Sequence, residues 1–173
     1  MLLPKNFIGN KIVFTLLTLF TTLGSVLFSG LYVTASKVMS GTGIRIFYKD
    51  MISGREEVWG ELWEEFFKQP FTGIGSSFVS RFDYIKGIEV HSALLDILIV
   101  HGLIVFAGVL FFLLLRLFGL RKFIIEDSVS YVAFSAMISM LTAAFFENYI
   151  IVAPFSMMFF VLFIIINSRK LLH

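Results

Sequence analysis

Four polar residues in this very apolar chain carry side chains suited to chemistry: Arg55, His91, Asp96 and Glu147. Arg55 lies in the first turn of a predicted helix, where free backbone N–H groups and a guanidinium together favour a phosphate. A neutral imidazole at His91 can accept a proton from a hydroxyl group near pH 7. On spacing alone the structural alternatives are favoured: ion pairs between Arg55 and the acidic residues that follow it, and a helix cap at His91.

Asp96 and Glu147 interrupt long apolar segments, and ionisable groups inside a membrane are costly and often functional. Asp96 follows Ser92 by one helical turn, and Glu147 divides the longest apolar segment. With the topology given below, His91, Asp96 and Glu147 are expected to share one level near the outer membrane face. The alternatives are an exposed loop carboxylate for Glu147 and a packing contact for Asp96.

No cofactor site is predicted. The three histidines, at positions 91, 101 and 173, do not have the spacing of metal ligands, and the chain has no cysteine. Gly73-Ile74-Gly75 follows a proline turn and precedes no clear helix, so it does not predict a phosphate-binding loop. No serine nucleophile elbow is present.

The composition predicts an all-α membrane protein. Apolar residues make up 58% of the 173 residues, 22 of them phenylalanine, and the mean hydropathy is +0.91. These values are typical of chains that cross a membrane several times. The net charge of +2 gives no reason to expect a nucleic-acid partner.

About four membrane spans are predicted within a single membrane domain, at residues 12–35, 92–115, 128–146 and 149–166. Residues 116–127 are predicted as a short polar turn, and residues 36–91 as one large loop. An even number of spans places both termini on one side, together with all seven lysines and arginines outside the large loop. The positive-inside rule makes that side cytoplasmic and the large loop extracytoplasmic.

The large loop is predicted to contain an amphipathic helix of about four turns. Ser53 is a good N-cap and Glu56 completes a capping box. Aromatic and aliphatic residues then recur at helical spacing until Pro70 stops the helix. The segment from Pro70 to Ser77 is rich in turn-forming residues.

The order of these segments resembles the O-antigen ligase and polymerase family of bacterial membrane glycosyltransferases, in its C-terminal part only. The residues that carry the resemblance are Ser53-Gly54-Arg55, Trp59, Pro70 with Gly73-Ile74-Gly75 and Phe78, and His91 at the start of a hydrophobic span. The chain is thus expected to correspond to the C-terminal half of a larger family fold, as a truncated or split form, with a second chain or a homo-oligomer as partner.

The resemblance implies a multi-pass protein of the cytoplasmic (inner) membrane that acts in polysaccharide biosynthesis at the cell envelope. Such proteins transfer a glycan from a polyprenyl diphosphate carrier to an acceptor sugar hydroxyl, without a cofactor or metal. Carried over, Arg55 would bind the carrier diphosphate, and His91 would deprotonate or orient the acceptor. Further substrate-binding candidates are Arg45 and Arg81, by charge and loop position, with Trp59, Asp96 and Glu147.

Two other functions fit the sequence. A non-enzymatic membrane subunit would dock a partner through the aromatic residues of the predicted outer helix, which are Trp59, Trp63, Phe66 and Phe67. For Trp59, anchoring of the helix is favoured over stacking on a sugar. A small transporter component would use Asp96 and His101 as a proton relay.

Overall fold

The computed structural model describes residues 4–39, 45–46, 49–50, 55–76, 90–148 and 150–169. The regular elements of the described part are helices, apart from one pair of two-residue strands. Its elements, in chain order, are α1 (Lys5–Gly9), α2 (Lys11–Met39), β1 (Arg45–Ile46), β2 (Lys49–Asp50), α3 (Arg55–Lys68), α4 (Ala93–Glu126), α5 (Ser128–Ala143) and α6 (Phe155–Arg169). The predicted all-α class is therefore confirmed at this level.

Two of these helices, α2 and α4, are long and apolar enough to cross a membrane, and α5 and α6 are shorter apolar helices. Many of their large apolar side chains face outward. On α2, Leu16, Phe20, Leu27 and Leu31 are 62–70% exposed. A folded chain that exposes so much apolar surface on its helices is suited to a lipid environment.

The amphipathic helix predicted in the large loop is confirmed as α3, which has 14 residues and ends two residues before Pro70. Its predicted N-cap, Ser53, lies outside the described residues. The apolar face of α3 packs against the C-terminal half of α2, where the Trp63 indole N–H donates to Ser29 Oγ at 3.3 Å. The strands β1 and β2 precede α3 and pair antiparallel, with Arg45 opposite Asp50.

Helix α4 is broken at Gly102, which has φ 78° and ψ 173°. We call residues 93–101 the N-terminal arm of α4 and residues 103–126 its C-terminal arm. Positive φ is readily adopted by glycine and strains other residues. A glycine at this position therefore permits the helix to change direction here.

The turn that follows α3 inserts into this break and satisfies its backbone. The N–H groups of Ile74 and Gly75 donate to the carbonyls of Ile99 and Val100 at 2.9 and 3.0 Å. In the other direction, Leu103 N–H donates to Pro70 O at 2.8 Å. These bonds replace those that a break removes from a helix, so the turn and the break form one unit.

The two arms of α4 double back on each other. A straight helix of 34 residues would separate its ends by about 51 Å. Ala93 N–H, however, donates to Ala144 O at 3.1 Å, and α5 covers only about 25 Å between Asp127 and Ala144. Both ends of α4 therefore lie within about 30 Å of each other, which requires a sharp turn at Gly102.

This geometry corrects two sequence predictions. The second predicted span, 92–115, is not one straight helix, because the bonds to the Pro70–Gly75 turn stabilise a break that periodicity does not reveal. The predicted polar turn at 116–127 is wrong over most of its length, since α4 continues to Glu126. The connection to α5 is only Asp127, whose Oδ2 accepts from the N–H and the hydroxyl of Ser130, both at 2.8 Å.

The remaining helices form the rest of the bundle. α5 ends at Ala143, three residues before the predicted end of the third span at 146. α6 begins at Phe155, six residues after the predicted start of the fourth span at 149. Pro154 directly precedes α6, as is common at helix starts. The positively charged end of the bundle joins three elements: Lys5 donates to Ser128 Oγ at 3.5 Å, and the Arg121 guanidinium donates to Gly9 O.

Candidate functional site

The structure brings His91 and Glu147 together, 56 residues apart in sequence. His91 Nδ1 lies 3.5 Å from Glu147 Oε2, with the two side chains 34% and 43% exposed. The distance is at the outer limit of a hydrogen bond. Nδ1 itself is buried without a hydrogen-bond partner among the described residues. The charged group that faces it in the described part is the Glu147 carboxylate.

The backbone on both sides of this pair is fixed. His91 has φ 49°, a left-handed conformation in which a non-glycine residue is uncommon. It precedes Ser92, the N-cap of α4. The bond between Ala93 N–H and Ala144 O ties the start of α4 to the end of α5. We call residues 90–93 and 144–148 the polar junction.

The polar junction contains two further polar atoms that sequence reasoning did not select. Ser92 Oγ and Asn148 Oδ1 are buried without a hydrogen-bond partner in the described part of the chain. Leaving a buried polar atom unpaired costs about 1–3 kcal/mol. Beside His91 and Glu147, these atoms are suited to accepting or donating bonds with a hydroxyl-bearing ligand. The signal in the sequence is adjacency, because each follows a selected residue directly.

Trp59 connects α3 to the polar junction. Its indole N–H donates to Val90 O at 2.7 Å, immediately before His91. Arg55 is half-buried and precedes Trp59 by four residues, so both lie on one face of α3, about 5–6 Å apart at Cβ. The arginine and the histidine that the sequence singled out therefore belong to two elements joined by one buried hydrogen bond.

The surroundings of Trp59 exclude it as an exposed platform in this structure. Its side chain is 1% exposed, and its ring meets Phe28 and Tyr32 edge to face, with centroids 6.3 and 5.5 Å away. A sugar stacks on an accessible ring face, which Trp59 does not offer. Its observed role is the anchoring that the sequence favoured.

Replacing Trp59 with phenylalanine is expected to lower the free energy of unfolding by about 1–3 kcal/mol, because Val90 O would remain buried without its donor. The measurement is thermal unfolding of the purified protein in detergent. Trp63→Phe is the matched control, since its indole bond to Ser29 Oγ is longer, at 3.3 Å, and its side chain is only half-buried. Equal losses in both variants would contradict the special position of Trp59.

The aromatic face of α3 is largely used inside this chain. Trp59 and Phe66 are buried, and Trp63 bonds to α2. Phe67, by contrast, is 70% exposed. Of the four rings proposed for docking a partner, Phe67 is thus the one that is mostly exposed.

The other predicted site residues lie in different places. Asp96 is half-buried in the first turn of the N-terminal arm, and His101 is exposed beside the break at Gly102. Because the arm doubles back, His101 lies farther than Ala93 from the Asp127 end of the bundle, opposite to the direction expected for a straight second span. Arg45 opens β1, with its side chain outside the described part, and Arg81 lies outside the described residues.

Among the described residues, no group of three or more His, Asp or Glu side chains is arranged to hold a metal ion. The Pro70–Gly75 turn is also occupied structurally, since the N–H groups of Ile74 and Gly75 bond to α4. They are therefore not directed at an external phosphate. The remaining chemically suited constellation is the polar junction with Arg55 on the adjoining helix.

Comparison with protein-family models, with curated proteins and with solved structures found no match to this chain.

Proposed function

We propose that this chain is a multi-pass protein of the cytoplasmic membrane and that its helices α2, α4, α5 and α6 cross that membrane. The exposed apolar side chains on α2 and α4 support a lipid environment. The end of the bundle that gathers Lys5, Arg121 and Lys122 is the cytoplasmic end by the positive-inside rule. The polar junction and α3 then lie at the extracytoplasmic end.

At that end, we propose transfer of a glycan from a polyprenyl diphosphate carrier to an acceptor sugar hydroxyl, of the polysaccharide polymerase or O-antigen ligase type. The observation that carries the proposal is the hydrogen bond from Trp59 to Val90. It joins the helix that bears Arg55 to the backbone that bears His91, which lies against Glu147. A cation for a diphosphate and a base for a hydroxyl are thus held by neighbouring elements.

The chemistry assigns one role to each group. The acceptor oxygen attacks the anomeric carbon of the donor, and the bond from that carbon to the carrier diphosphate breaks. His91 takes the proton from the attacking hydroxyl. Arg55 stabilises the negative charge that develops on the leaving diphosphate. The Glu147 carboxylate, which lies against Nδ1, orients the imidazole ring for this step.

A glycan ladder tests the proposal. The chain is expressed in bacteria that make a polyprenyl-linked repeat unit but lack their own polymerase, and surface glycans are separated on a gel. We expect a ladder that Arg55→Ala lowers by about 10²–10³-fold, the typical effect of removing one group that stabilises developing charge. Lys68→Ala is the control, because Lys68 is an exposed cation of the same helix that pairs with Glu65.

Two results would contradict the proposal. One is the absence of any ladder when the protein is present in the membrane fraction at normal level. The other is a ladder that is unchanged in Arg55→Ala, or that falls equally in Arg55→Ala and Lys68→Ala. The second outcome would mean that the positive charges of α3 serve folding or surface interactions rather than binding of the donor diphosphate.

A further inference from the structure

An apolar groove lies between α4 and α6 and is lined by residues of both arms of α4. Its volume is about 850 Å³, within the range of small-molecule sites. Leu110, Leu141 and Phe159 form a buried floor, and exposed side chains such as Val109 and Phe160 form the walls. A groove with a buried floor and open walls is suited to a flexible apolar chain.

The guanidinium of Arg116 lies at the end of the groove nearest to Asp127 and is held in place by a short chain of hydrogen bonds. Arg116 Nε donates to Asn167 Oδ1 at 2.9 Å, and Asn167 Nδ2 donates to Phe163 O at 2.7 Å. Arg116 and Phe163 both line the groove. Because Nε alone is used in this contact, the two terminal NH₂ groups keep a fork suited to phosphate oxygens.

The charge of Arg116 determines what kind of molecule fits. No acidic side chain forms an ion pair with it among the described residues. An uncompensated arginine at the edge of a bilayer is costly unless its head reaches the interface or an anion. A ligand with an anionic phosphate and an apolar chain satisfies the guanidinium and the groove together.

We propose that this groove binds an anionic phospholipid, with the phosphate on Arg116 and an acyl chain along the groove toward His101. Val105 and Arg116 are separated by about 16 Å along α4, so the chain is held over much of one leaflet. The site is distinct from the proposed donor site, since Arg116 lies on the side of α4 toward Asp127. The inference rests on the membrane placement proposed above and not on glycosyl transfer.

Native mass spectrometry of the detergent-solubilised protein tests this site. The probes are palmitoyl-oleoyl phosphatidylglycerol and palmitoyl-oleoyl phosphatidylcholine, which share acyl chains and differ in net charge. We expect at least fivefold greater retention of phosphatidylglycerol. Arg116→Gln should remove this preference, whereas Lys122→Gln, an exposed cation of the same helix outside the groove, should retain it.

A second measurement locates the acyl chain. Phosphatidylglycerol with a photoreactive group in its acyl chain is expected to crosslink to groove residues such as Val109 and Phe160. The exposed face of α2, at Leu16 and Leu27, serves as the matched apolar surface. Val109→Trp, which fills the groove, should decrease crosslinking there without changing it on α2.

The proposal is overturned by equal retention of both lipids, by an equal loss in Lys122→Gln, or by crosslinks distributed equally over α2 and the groove. A lipid-free dimer whose α4–α6 groove residues crosslink between copies would instead assign the groove to a second copy of the chain. Neither readout requires polymer formation. A chain that makes no ladder but shows the expected lipid preference would therefore contradict the transferase and support this site.

Discussion

Replacing His91 with alanine is expected to decrease glycan polymer formation by about 10²–10⁴-fold, the typical contribution of a positioned general base. The physical reason is the loss of the imidazole that accepts the proton of the acceptor hydroxyl. The ladder assay, quantified at equal protein in the membrane, gives the measurement. His101→Ala is the control. His101 is an exposed histidine at the opposite end of the N-terminal arm from His91, directly before the break at Gly102.

Glu147→Gln tests whether the carboxylate acts through His91. The substitution keeps the shape of the side chain and removes its charge, so we expect a smaller loss than in His91→Ala. If Glu147 acts only by orienting the imidazole of His91, the substitution will have no further effect in a His91→Ala background. Additive losses would contradict this pairing, and full activity of His91→Ala would contradict its role as the base.

Replacing Gly102 with alanine is expected to lower the free energy of unfolding by about 2–4 kcal/mol, since backbone strain and steric overlap act together. A Cβ atom at this position would lie 2.4 Å from Phe71 O and 2.5 Å from Gly73 N. Both are backbone atoms of the inserted turn and cannot rotate away. Thermal unfolding of the purified protein in detergent provides the measurement.

Gly108→Ala is the matched control on the same arm of α4. A Cβ atom there meets nothing within 4 Å, and alanine in a helix interior is favoured over glycine by about 0.5–1 kcal/mol. We therefore expect an unchanged or slightly raised stability. Similar behaviour of Gly102→Ala and Gly108→Ala would mean that α4 is not broken at Gly102. Gly73→Ala should resemble Gly102→Ala, because its Cβ would lie 2.5 Å from Gly102 N.

The long apolar helices and the helix in the large loop are features that the sequence predicts well. Both depend on local properties. The 3.6-residue recurrence of aromatic residues before Pro70 predicts α3, and its end differs from the prediction by no more than two residues. The abundance of apolar residues predicts long helices, of which α2 and α4 have the required length.

The break in α4 is not visible in the same way. A single glycine in a long apolar segment is tolerated in a helix, and the choice between a straight and a broken helix depends on a partner elsewhere. That partner is the Pro70–Gly75 turn, which bonds to Ile99, Val100 and Leu103. The predicted polar turn at 116–127 failed for a local reason, since arginine, lysine and glutamate, which supply most of its charges, are good helix formers.

The sequence by itself determined that the chain is helical and apolar, that His91 and Glu147 lie at the edges of apolar segments, and that Arg55 lies in the first turn of a helix in the large loop. Only the tertiary structure decided which of these residues meet. It places His91 against Glu147 and ties α3 to Val90 through Trp59, and it separates His101 from the level expected for it. The physical reason is that periodicity reports which face of an element is buried, whereas contacts between distant residues depend on where the chain turns.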